Sequence, residues 1–111
     1  MIRGLKGLFL VILAVMLYAT ASASLDRSLL AAGADLWPDL WFRATLADAY
    51  CGFLTFYAWV FYREASRARR LLWFLGIMLL GNIAVALYML ILLSRLPAGA
   101  GAERVLLRPR A

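Results

Sequence analysis

No charged residue interrupts the chain between Leu71 and Leu93, a run longer than the roughly 20 residues that carry an α-helix across a bilayer core. Hydrocarbon offers no partner to a bare peptide group, so a segment of this kind must pair its own N–H and C=O groups and be helical. Two further apolar stretches, residues 7–24 and 44–62, precede it. The spacing predicts an all-α, polytopic membrane protein: a three-transmembrane-helix bundle over residues 1–96, with spans at about 7–24, 44–62 and 71–93, and a C-terminal tail over 97–111. Composition points the same way. The chain is 66% hydrophobic and 16% charged, whereas soluble domains carry roughly 45–50% apolar and about 25% charged residues. A single unit of helix against helix, with lipid outside, accommodates that excess.

The first stretch has two readings. Arg3 and Lys6 before an apolar centre from Leu8 to Tyr18, then Ala19-Thr20-Ala21-Ser22-Ala23, match a cleavable secretory signal. The same small residues, with Ala19 and Ala23 four apart, suit a helix contact face, and we expect an uncleaved span. Residues 25–43 are too polar to cross, and Leu36-Trp37-Pro38-Asp39-Leu40-Trp41-Phe42 concentrates aromatics around a proline, as at a turn anchored among headgroups. The tail opens Pro-Ala-Gly-Ala-Gly-Ala from Pro97 and reads as a flexible extension.

Three crossings would leave six basic residues on each side of the membrane. Arg63, Arg67, Arg69 and Arg70 crowd one short loop while Arg104, Arg108 and Arg110 lie beyond the last span, and charges near span ends weigh most. The N-terminus and the 63–70 loop are therefore expected in the cytoplasm, in a cell inner membrane, with the C-terminus on the other side. That arginine loop also suits anionic lipid heads.

Several function classes are excluded. One cysteine, Cys51, and no histidine leave no internal disulfide and none of the usual zinc, copper or haem ligands, so no metal or cofactor is expected. Ser–His and Cys–His dyads are likewise impossible. The net charge of +6 does not indicate nucleic acid, because every basic residue flanks an apolar segment or lies in a tail.

The polar residues within the spans are the candidate intramembrane site: Asp48, Tyr50, Thr55, Asn82 and Tyr88, with Gly52 and Gly81 as helix-packing positions. A carboxylate at a helix centre costs about 2.5–3.5 kcal/mol on insertion scales, so Asp48 needs a partner, water or a task. Helical spacing sets Asp48, Cys51, Gly52, Thr55, Trp59 and Tyr62 along one side of the second span. Gly52 there permits close approach, and Thr55 can bond across or back to its own helix. In straight helices Asp48 lies level with Tyr88 and Thr20, while Asn82 lies level with Phe53. Tyr50, Tyr88 and Thr20 are then nearer partners for Asp48 than Asn82 is. Gly81-Asn82 pairs a small residue with an amide that hydrocarbon cannot satisfy, a packing signal first and a ligand signal second.

Ala44-Thr45-Leu46 with Asp48 and Tyr50, Trp59-Val60 with Tyr62-Arg63-Glu64, and Leu80-Gly81-Asn82 with Tyr88 resemble the membrane family called domain of unknown function 1475. The likeness runs from the first span to about Leu96 and is best in the second. It implies a small three-helix integral membrane protein with an uncleaved first span, and no particular activity. Ala49 stands where the family often has Phe, which changes the packing beside Asp48.

The function expected is a non-enzymatic scaffold or accessory subunit, whose polar stripe meets a second copy or a larger membrane complex within the lipid bilayer. The alternative is a minimal homo-oligomeric transporter or channel using Asp48 and Asn82. An enzyme is disfavoured, since no nucleophile, base and metal constellation can be assembled.

Overall fold

Six helices account for most of the described residues, which are 2–97 and 99–107 in this computed structural model, and no strand occurs among them. They are α1 (Ile2–Asp26), α2 (Leu29–Leu36), α3 (Leu40–Arg63), α4 (Arg67–Leu80), α5 (Asn82–Ser94) and α6 (Ala102–Leu106). The described residues are thus all-α, the secondary structure expected.

The long apolar run does not form one helix. It divides at Gly81, whose backbone sits at φ 60° and ψ −127°, a region closed to residues with a Cβ except at a cost. Gly81 is the only described residue with positive φ. From it the chain turns back on itself. The Cβ of Ala84 lies 3.8 Å from where a Cβ on Gly76 would stand, although eight residues along a straight helix are about 12 Å of rise. Further from the turn, Trp73 and Tyr88 have ring centroids 4.9 Å apart. α4 and α5 are thus the arms of a tight helical hairpin, and not successive halves of a rod.

This reversal corrects two expectations. The Leu71–Leu93 stretch is not a single straight span, and the end of α5 returns to the end of α3 at Arg63. The C-terminal tail therefore lies beside the arginine loop instead of at the opposite end. Within the tail, α6 packs at that end with Val105 buried. The remainder of the tail expectation, residue 98 and residues 108–111, lies outside the described residues.

The direction of α1 follows from chain reach. The connection 27–39 contains eight-residue α2 and extends at most about 30 Å. That is less than the length of 24-residue α3, about 36 Å. α1 must end near the start of α3, so its N-terminus lies at the Arg63 end. Ile2, Leu5 and Phe9 accordingly join the same apolar cluster as Leu92, Leu93 and Val105.

Local capping explains the boundaries at the far end. Ser28 accepts from Ala31 N at 3.1 Å and starts α2, and Asp39 accepts from Trp41 N at 2.9 Å and starts α3. Both are favoured N-cap residues. Between them Arg43 donates Nε–H to the Trp37 carbonyl at 2.6 Å and stacks on the Trp37 ring at 4.7 Å, which fixes the Trp-Pro turn. Outside the cluster centred on Ile77, Tyr88 and Leu93, the surface is strongly apolar. Leu10, Val11, Val15, Leu17, Leu54 and Leu79 all stand at least half exposed. α1 is the one described helix both long and apolar enough to cross a membrane. α3 has the length, but Arg43, Asp48 and its polar-tipped aromatics dilute it. Each hairpin arm is about 20 Å long by helical rise, short of a bilayer core of about 30 Å.

Gly81→Ala tests the hairpin. The new methyl would meet Phe53 Cζ at 2.9 Å, on a backbone whose strain for a non-glycine residue costs about 1–3 kcal/mol. The thermal midpoint in detergent should fall, and adding Phe53→Ala should not restore it, because the dihedral strain remains. An unchanged midpoint in Gly81→Ala would show that the turn is not held at this residue.

Candidate functional site

The polar residues singled out by sequence do not converge on one place. Tyr50 serves the turn: its hydroxyl donates to the Met78 carbonyl at 3.1 Å. That carbonyl lies in the last turn of α4, where intrahelical partners have run out. Phe53 stands edge-on to Tyr50 at 5.4 Å and covers Gly81. Glycine at 81 is required twice, since a Cβ there would meet Phe53 Cζ at 2.9 Å and the backbone φ is positive.

Asp48 and Asn82 are both exposed, and neither side chain makes a hydrogen bond among the described residues. Thr55 turns back on its own helix, donating to the Cys51 carbonyl at 2.9 Å. Nothing lies within 4 Å of the place a Cβ on Gly52 would occupy. The Asp48–Cys51–Gly52–Thr55 face of α3 is therefore uncovered, facing neither the hairpin nor α1. No group of three or more His, Cys, Asp or Glu residues able to hold a metal ion occurs among the described residues.

Tyr88 belongs to a different centre. It is 3% exposed and is ringed edge-on by Phe56 at 6.0 Å, Trp59 at 5.8 Å and Trp73 at 4.9 Å. Its hydroxyl donates to Glu64 Oε1 at 3.1 Å. Such edge-to-face pairs add about 0.5–1.5 kcal/mol each beyond area burial. The partner of Tyr88 is thus an acid at the arginine end and not Asp48, because the hairpin lifts Tyr88 toward that end.

Around this aromatic knot the arginines divide into two kinds. Some close helix ends. Buried Arg63 donates Nε–H to the Val105 carbonyl at 2.8 Å and Nη2–H to the Arg104 carbonyl at 3.1 Å. Trp59 donates Nε1–H to the Leu106 carbonyl at 2.9 Å, and Leu107 N donates to the Glu103 carbonyl at 3.0 Å. All four terminal carbonyls of α6 are satisfied this way, which is how so short a helix persists. Arg70 similarly donates to the carbonyls of Phe61 at 3.0 Å and Glu64 at 2.7 Å, and lies 3.9 Å over the Phe61 ring.

The second kind is not committed in this way. The Arg95 and Arg104 guanidinium groups make no hydrogen bond or ion pair among the described residues, and Arg69 only approaches Glu64, at 4.0 Å. These three, with Arg63 and Glu64, line a cavity of about 440 Å³ whose remaining wall is apolar: Leu72, Trp73, Ile91, Leu92 and Leu96, beside Tyr88. Sequence reasoning missed this cavity. Its signals were the i, i+4 pair Trp59 and Arg63 and the apolar Val105-Leu106-Leu107 among tail arginines. Only the hairpin brings them together.

Comparison with protein-family models, with curated proteins and with solved structures returns no match to this chain.

Arg63→Met keeps much of the stem and removes both tail bonds. Amide exchange at Arg104–Leu107 should accelerate about tenfold or more, since hydrogen bonds from a charged donor contribute about 1.5–3 kcal/mol, while α5 amides keep their protection. Unchanged exchange in the tail would show that Arg63 does not hold α6.

Proposed function

We propose that this chain is a membrane-embedded, non-enzymatic helical subunit that presents the open face of α3 to a second copy or to a larger membrane complex. The observation that carries the reading is the uncovered Asp48–Cys51–Gly52–Thr55 face. Small residues let a neighbouring backbone come close, and a polar side chain in that contact avoids hydrocarbon. The exposed leucines and valines of α1 support lipid as the surrounding medium.

In this reading α1 and α3 cross the bilayer, and the α4–α5 hairpin enters and leaves by the same side. Non-helical backbone at depth is tolerated when protein covers it, and Tyr50 and Phe53 provide that cover at Gly81. The arrangement replaces a third crossing and changes the charge balance. Arg3, Lys6, Arg63, Arg67, Arg69, Arg70, Arg95 and Arg104 gather at one end, against Arg27 and Arg43 at the other. The positive-inside rule then favours the cytoplasm for the N-terminus, the 63–70 loop and the tail alike.

Oxidative crosslinking through Cys51, the chain's one cysteine, tests the subunit reading in native membranes resistant to alkaline carbonate. A disulfide-linked dimer or a crosslinked neighbour of fixed mass is expected, and Gly52→Leu should abolish it. A chain that stays uncrosslinked at Cys51 and at cysteines introduced at Asp48 and Thr55 would contradict a contact on this face.

A further inference from the structure

We infer that the cavity at the arginine end binds the head of one anionic phospholipid. The inference rests on the membrane reading for its setting but on the cavity's own chemistry for its ligand. Arg63, Arg69, Arg95 and Arg104 against Glu64 give the lining a formal charge of four minus one, or +3. Arg63 spends two donors on the tail, which leaves Arg95, Arg104 and largely Arg69 to meet an anion. A phosphodiester is the matching acceptor, since guanidinium groups bind phosphate oxygens through paired N–H donors.

The apolar half of the wall selects among phosphates. Leu72, Ile91 and Leu96 lie beside the arginines, and all three belong to or follow the hairpin arms that enter the bilayer in this reading. A free phosphate would leave that wall wet. A phospholipid covers it with glycerol and the first acyl methylenes, which takes that apolar surface out of water. A choline head would bring a cation toward the arginines, so phosphatidylglycerol should be preferred to phosphatidylcholine. Basic pockets between helices at the cytoplasmic surface bind acidic heads on this physical basis.

The test uses the full chain in mixed micelles of neutral detergent and phosphatidylcholine, titrated with phosphatidylglycerol and read by native mass spectrometry. One retained phosphatidylglycerol per chain is expected, not displaced by a large excess of inorganic phosphate. Arg95→Gln with Arg104→Gln should weaken retention roughly 30-fold, from about 1 kcal/mol per basic residue. Arg27→Gln removes a charge at the other end, where Arg27 makes only an exposed pair with Asp35, and should leave retention unchanged. Ile91→Trp keeps every arginine, fills the wall and should also abolish retention, with the helical circular dichroism of the parent as the check on folding. Equal loss in Arg27→Gln, displacement by inorganic phosphate, or full retention in Ile91→Trp would each overturn the site. Micelles present lipid whether or not the helices cross a bilayer, so lost retention counts against the cavity. Release by carbonate counts against the membrane reading instead.

Discussion

The left-handed backbone at Gly81 is the constraint from which the rest of this architecture follows. A continuous helix from Arg67 to Ser94 would carry its end about 40 Å from the arginine loop by helical rise. One residue at φ 60° returns that end to its start. The turn exposes carbonyls that an unbroken helix would have satisfied, and α3 supplies the remedy with a hydroxyl at Met78 and a ring against Gly81. Glycine is needed twice there, for the dihedral and for the space.

Once α5 comes back, the arginine end becomes the busiest part of the molecule. Arginine is suited to this work because its planar fork reaches two acceptors at once and stacks on aromatic faces. Arg63 joins α3 to α6, and Arg70 joins α4 to the end of α3. A buried guanidinium is tolerable when its donors are met, and the α6 carbonyls meet those of Arg63 while receiving their own missing partners. The arginines left over face a cavity with one apolar side, and that division of labour underlies the lipid inference.

The all-helical character of the described residues was legible in the sequence because long uncharged apolar runs must pair their own peptide groups. Helical periodicity is local and so readable, but it sets Trp59 on the same stripe as Asp48, Cys51, Gly52 and Thr55; those four are exposed, while Trp59 packs against Phe56 and Tyr88. What was not legible depended on one dihedral angle. Gly81 beside Asn82 reads equally as a packing site in a straight span or as a reversal, because periodicity is the same on both sides of the break. The reversal gives Tyr88 the partner Glu64 and brings Arg95 and Arg104 beside Arg63, neighbours that sequence spacing does not indicate. The Trp59–Arg63 spacing was visible, but its targets are backbone carbonyls more than forty residues away, which no side-chain pattern announces.

The hairpin is tested most directly by the distance between spin labels on Arg69→Cys and Arg95→Cys in a Cys51→Ser background. With α4 and α5 packed as antiparallel arms, interaxial separation of about 8–10 Å plus label tethers should give a narrow distribution at or below about 20 Å. A main population near 39 Å, the helical rise between those positions in one straight rod, would contradict the reversal at Gly81 and everything argued from it.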